Sequence, residues 1–179
     1  IQINPDHADS HVNLGIAYLK MGQTEVAINF FKNALRISPG YRIALGNLAV
    51  AYGDLEPSQE VVTILKEMIQ LNPDLAEAYL ILGAVFGNLN QPQSAIDPFK
   101  KAINLTFYMS TNSAYAHGNL GEAYENLGRN KEAIKEYKEA LRIMPDYWQT
   151  TIAAYEERIK YKPDSAITHA ALGLAYEKI

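Results

Sequence analysis

Pro5, Pro39 and Pro73 stand 34 apart in the chain. A fixed period of that length means a series of similar supersecondary units, none of which can bury its apolar face alone. The residues before each proline agree. They read Leu35-Arg36-Ile37-Ser38, Ile69-Gln70-Leu71-Asn72 and, before Pro145, Leu141-Arg142-Ile143-Met144. A second marker keeps the same step: Leu14-Gly15, Leu48-Ala49 and Leu82-Gly83 are 34 apart. Two more copies follow at wider steps, Leu120-Gly121 and then Leu172-Gly173.

Inside each unit the apolar residues recur with helical spacing, as in Leu14, Ala17, Tyr18 and Met21, then Ala27, Phe30, Phe31, Ala34 and Leu35. Gly22, Gly128 and Asn90 separate two such runs and suit the left-handed residue that ends a helix. Pro57 and Pro92 are expected to open the next helix, where a missing N–H costs little. Pro-Asp recurs at residues 5–6, 73–74, 145–146 and 163–164, and each Asp is expected to cap the helix that follows. The unit is therefore helix, tight turn, helix and short linker.

These columns resemble the tetratricopeptide repeat. The first-helix columns read His11, Leu14-Gly15, Tyr18; Leu45, Leu48-Ala49, Tyr52; Tyr79, Leu82-Gly83, Phe86; His117, Leu120-Gly121, Tyr124; and His169, Leu172-Gly173, Tyr176. The second-helix columns read Ala27, Phe31, Ala34; Val61, Leu65, Met68; Ala95, Phe99, Ala102; and Ala133, Tyr137, Ala140. Small residues fit where two helices cross closely, and the aromatic rings fill the space they leave. The resemblance implies an all-α fold, a right-handed superhelical α-solenoid of stacked hairpins, with first helices along a concave groove. The expected organisation is one array. Residues 1–7 end a preceding repeat, followed by repeat 1 (8–41), repeat 2 (42–75) and repeat 3 (76–109). An insertion (110–113), repeat 4 (114–147), a half-repeat (148–165) and a truncated last repeat (166–179) complete it.

The pattern breaks in four places. Val61, Leu65 and Met68 enlarge the close-packing columns of repeat 2, so its stacking is expected to change. Pro98 falls inside a second helix, where it removes a hydrogen bond; a tolerated kink is the expected outcome. Four extra residues follow Leu105-Thr106-Phe107-Tyr108-Met109, either as a longer helix or as a loop. Its aromatic residues are expected to tuck between helices, the alternative being an exposed contact site. Pro145 and Pro163 stand only about half a repeat apart, with a second-helix stripe at Ile152, Tyr155 and Ile159 but no first helix. This is either a half-repeat or a skip in the chain. Both ends lack the polar caps that a solenoid needs, so a longer array, or ends packed on another chain, is expected.

Catalytic chemistry finds little footing. The absence of cysteine removes disulfides and thiolate catalysis. His11, His117 and His169 share one packing column, which assigns them a structural role. His7 and His11 have metal-ligand spacing but lack an HExxH context. There is no phosphate-binding glycine loop and no nucleophile elbow. The Lys and Glu residues from Lys131 to Glu139 alternate as on a solvated helix face. Asn104-Leu105-Thr106 is a glycosylation sequon by letter only. No cofactor and no metal is expected. A net charge of −4 argues against a nucleic-acid partner, and no apolar run approaches the about 18 residues of a membrane span. No signal peptide is visible, and the cytoplasm is the compartment by default.

The groove is then the functional surface. Helical phase places on it Asp9, Val12, Asn13, Ile16 and Lys20; Ile43, Gly46, Asn47, Val50 and Asp54; Glu77, Leu80, Ile81, Ala84 and Asn88; and Tyr115, Gly118, Asn119, Glu122 and Asn126. The chaperone-binding members of the family hold a peptide carboxylate with basic residues. Val12, Glu77 and Ile81 stand at those positions here, so such tails are not expected ligands. Asn13, Asn47 and Asn119 resemble the asparagine ladder of the O-linked N-acetylglucosamine transferase repeats, broken by Ile81 and Ala171. An amide can pair with both groups of a peptide bond. The peptide-binding residues are therefore expected to be Val12, Asn13, Ile16, Asn47, Val50, Ile81, Asn119 and Glu122. The expected function is a non-catalytic scaffold that binds a partner peptide or helix. The alternatives are the recognition arm of a larger enzyme, such as a glycosyltransferase, or a homo-oligomer stacking through uncapped ends near Leu172 and Leu174.

Overall fold

A computed structural model describes residues 7–107 and 110–144, with positions 169 and 173. The chain divides into two compact units, Ile1–Leu89 and Asn90–Ile179. The first contains α1 (Ala8–Lys20), α2 (Thr24–Ile37), α3 (Arg42–Gly53), α4 (Gln59–Leu71) and α5 (Ala76–Asn88). The second contains α6 (Pro92–Leu105), α7 (Thr111–Asn126) and α8 (Asn130–Ile143). No strand occurs among the described residues. The expectations for residues 1–6, 108–109 and the half-repeat and last repeat, including Leu172 and Leu174, lie outside them.

The helix stops follow the sequence. Gly22 and Gly128 have φ of 72° and 70°, and Asn90 has φ of 56°, all in the left-handed region. At Gly22 the chain reverses with two bonds. The Gly22 N–H donates to the Leu19 carbonyl (3.0 Å) and the Gln23 N–H to the Tyr18 carbonyl (2.9 Å). Gly128 and Arg129 repeat this on Glu125 and Tyr124, both at 2.9 Å.

The helix starts depart from expectation. Pro92 does occupy the first turn of α6, but Pro57 precedes the cap of α4, which is Ser58. Asp74 is not a cap: Leu75 holds that place in α5, and Asp74 instead accepts from Arg42. The described side-chain caps are serines. The Ser58 hydroxyl accepts the Val61 N–H at 3.2 Å and Ser110 accepts the Ser113 N–H at 3.1 Å. Ser58→Ala and Ser110→Ala should each lower stability by about 1 kcal/mol in urea unfolding. The corresponding Gly variants should lose only a few tenths, roughly, because Gly itself suits an N-cap.

Ser110 also resolves the insertion. It caps α7, so the extra residues become a longer first turn, and α7 has 16 residues where α1 and α5 have 13. The expectation that its aromatics tuck inside fails at Phe107, which is 91% exposed. The Phe107 carbonyl accepts the Ser110 N–H at 3.0 Å, and this turn holds the residue between two helices rather than against either. Pro98 does not end α6, which continues from Pro92 to Leu105.

The core obeys the small-against-large columns. A Cβ added to Gly15 would lie 2.4 Å from Cε1 of Phe31, and one at Gly121 would lie 2.6 Å from Cε1 of Tyr137. The rings thus rest on bare backbone, and α1 packs along α2 as α7 does along α8. Helix α3 meets α4 more lightly, consistent with the enlarged columns at Val61, Leu65 and Met68, all three of which are buried.

A lysine series ties α2, α4 and α6 each to an aromatic ring of the helix that follows. Lys32 lies over Tyr52 at 5.8 Å and Lys66 over Phe86 at 5.6 Å in the first unit; Lys100 lies over Tyr124 at 5.9 Å in the second. The three lysines keep the step of the proline repeat. Each contact contributes about 0.5–1 kcal/mol at such exposed sites.

Candidate functional site

In the first unit, α3 and the start of α5 enclose an open recess of about 400 Å³, lined by Arg42, Ile43, Gly46, Asn47, Val50, Leu75 and Glu77. Its size falls within the about 300–1,000 Å³ typical of ligand pockets. Three causes combine to make it. Gly46 has no side chain, so α3 presents a gap at mid-helix. Ile43 and Val50, one turn either side, remain 55% and 37% exposed. Glu77 lies across the gap, its Cγ and Cδ each 3.7 Å from where a Gly46 Cβ would be.

The polar groups around the recess are largely committed. Arg42 donates through Nη1 to Oδ2 of Asp74 at 2.6 Å and through Nη2 to the Asp74 carbonyl at 3.4 Å. Both side chains are exposed, so the pair adds little stability, but it neutralises the cation. Tyr41, just before Arg42, donates its hydroxyl to Asp9 of α1, and that bond raises the Tyr41 pKa above its ordinary value. The linker before α3 is thus tied to α1 on one side and to the approach of α5 on the other. Asn47 donates to the Ile43 carbonyl one turn back at 2.7 Å. One of its amide hydrogens is therefore used within α3.

The expected site residues divide. Asn47 and Val50 share the recess. Asn13 is exposed and Ile16 half-buried on α1. Ile81 is half-buried and leans on Gly53, its Cγ2 2.8 Å from where a Cβ would stand. Val12 is the departure. At 3% exposure it shares the buried stripe of α1 with Gly15, one turn on, and so belongs to the packing rather than to an open wall. In the second unit, α7 carries a half-buried Asn119 and an exposed Glu122, with Tyr115 40% exposed. Helical phase does not assign Arg42 and Leu75 to the groove. Both stand at helix starts, where the 3.6-residue period gives no direction. Phase puts Ile43, Gly46 and Glu77 on the face, but they are not among the expected binding residues.

Of the three histidines in the shared column, His11 and His117 take packing roles, whereas His169 is exposed. His11 meets Phe30 of α2 with ring centroids 5.9 Å apart. His117 Nδ1 lies 2.7 Å from Oε2 of Glu136 on α8, with side chains only 11% and 14% exposed. Glu136 therefore corrects the reading of residues 131–139 as a wholly solvated face. The two pairs occupy equivalent positions, an aromatic contact in one hairpin and a polar one in the other. His7 Nδ1 lies 3.7 Å from Asp9. No group of three potential metal ligands occurs among the described residues, and no described helix is long and apolar enough to cross a membrane.

Comparison with known proteins agrees with this architecture. Residues 8–41 and 114–147 each match the tetratricopeptide repeat model. The chain thus carries two tetratricopeptide repeats that the family model matches. Among solved structures, a crystal structure of MamA protein is 26% identical with a TM-score of 0.66, covering 96% of this chain and 91% of that one. YrrB, described as a TPR protein with an unusual peptide-binding site, is 19% identical with a TM-score of 0.62 over 98% of this chain and 88% of its own. A thermophilic TPR protein of Thermus thermophilus is 18% identical with a TM-score of 0.63, over 94% of this chain and 98% of its own. These likenesses show an all-α fold of stacked helical hairpins. No curated protein matches the chain.

Proposed function

We propose that the chain is a non-catalytic scaffold that holds a partner peptide or helix in a concave groove lined by its first helices. In the first unit this groove uses Asn13, Ile16, Asn47, Val50 and Ile81; in the second it uses Asn119 and Glu122. The supporting observation is the recess on α3, where Ile43 and Val50 remain exposed beside an amide at Asn47. The part of these apolar side chains left open around the gap adds nothing to the core, and burying it against a ligand is favourable by about 25 cal/mol per Å². The asparagines can bond a ligand backbone irrespective of its side chains.

A random peptide library displayed against the immobilised chain tests this. Peptides should be enriched, and Val50→Glu, which sets a charge inside the recess, should weaken the best of them at least about tenfold while leaving helical circular dichroism unchanged. Enriched peptides that bind the variant equally well would place the ligand elsewhere. Failure to enrich any peptide would count against the scaffold reading itself.

A further inference from the structure

The recess has a charge of its own. Two ionised side chains line it, Arg42 and Glu77. The guanidinium is matched by Asp74 at 2.6 Å, which lies outside the lining. Glu77 makes no ion pair or hydrogen bond among the described residues, although it is only half-exposed. Its position in the first turn of α5 stabilises the carboxylate through the helix dipole, and this explains how the charge is tolerated there without a counter-ion. The wall facing it is apolar: Ile43, Val50 and the buried Leu75. An aliphatic pocket thus carries one unmatched negative charge at its edge, held over the gap at Gly46.

We infer that the recess selects a peptide in which an aliphatic side chain stands next to a lysine or arginine. This rests on the peptide-binding reading above and names its specificity. The aliphatic group fills the space between Ile43 and Val50. The cation meets the Glu77 carboxylate, which is partly withdrawn from water and so screened less than a surface charge. An acidic segment would be repelled, because Asp74 already satisfies the only basic group at the site. The inference also gives Gly46 a role that stability does not explain. Glycine weakens a helix interior, and a Cβ there would meet Glu77 at an ordinary contact distance, so nothing in the packing requires its absence. The open volume requires it.

The test is selection from a displayed library with the parent chain and with Glu77→Gln, Glu77→Lys and Gly46→Ala, each checked by circular dichroism and thermal melting. The parent should enrich Leu, Ile or Met beside Lys or Arg. A synthetic peptide of that pattern should lose about fivefold to tenfold in affinity on Glu77→Gln and lose part of its salt dependence. Glu77→Lys should reverse the preference toward Asp or Glu beside the same aliphatic residue. Gly46→Ala should melt about 1–4 °C higher while binding the peptide more weakly, opposite signs that a purely structural glycine would not produce. Enrichment without a basic preference, or an unchanged preference in Glu77→Lys, would overturn the inference and leave the scaffold reading intact. Enrichment of no peptide by the parent chain would overturn both.

Discussion

Phe31→Ala should destabilise the first unit by about 3–5 kcal/mol, measured by urea or thermal unfolding. The ring is 0% exposed and lies against the bare backbone of Gly15, with a would-be Cβ within 2.4–2.9 Å of three of its atoms. Removing it leaves a cavity between α1 and α2 that the glycine cannot fill. The neighbours are themselves packed: Ala27 and Ala34, one turn either side along α2, have no exposed surface. The reciprocal change isolates the fit. Gly15→Ala should cost about 1–3 kcal/mol through overpacking. On a Phe31→Leu background, where the ring atoms are gone, the same change should cost much less. Equal costs on both backgrounds would mean that the clash is not with Phe31.

Gly121→Ala should cost more than Gly15→Ala, about 2–4 kcal/mol, because the opposing ring is tethered. Its Cβ would meet Tyr137 at 2.6–3.1 Å, and the Tyr137 hydroxyl donates to Oε2 of Glu125 at 2.8 Å. Phe31 can tilt away at the expense of packing alone. Tyr137 can tilt only by giving up a hydrogen bond to a carboxylate, a loss of about 1.5–3 kcal/mol when the group stays buried. A double-mutant cycle decides this. Tyr137→Phe with Gly121→Ala should cost less than the two changes summed. Additivity within about 0.5 kcal/mol would show that the tether does not resist the displacement.

The local rules carried much of the fold. Left-handed residues at Gly22, Asn90 and Gly128 are legible because few other residue types take that conformation cheaply. The glycine–aromatic pairs are legible because the two columns recur in register. Where one residue type serves two purposes, reading fails. Asp74 follows a proline and looks like a cap, but a carboxylate is equally suited to Arg42, which sits 32 residues away in sequence. Ser58 and Ser110 cap instead, since a hydroxyl has no comparable claim from a cation. Glu136 sits in a stretch of alternating charge that suggests solvent, and only the approach of α7 shows that it meets His117. Phe107 shows the converse. An aromatic residue is most often buried, but this one stands in the linker between α6 and α7 and is left exposed.

The candidate site divides along the same line. Helical phase placed Asn47 and Val50 on one face, because side chains three and four residues apart must share it. It also places Val12 there, although Val12 falls inward with Gly15. Phase fixes a direction from the helix axis but not what stands in that direction. Period, helix type, turn residues and small-against-large columns were determined by the sequence alone, since each depends on residues within one turn or on a repeat that restates them. The recess was decided by tertiary structure. It needs the gap at Gly46, the lean of Glu77 from a separate helix and the removal of Arg42 by Asp74, contacts between segments far apart in the chain whose geometry no local rule encodes.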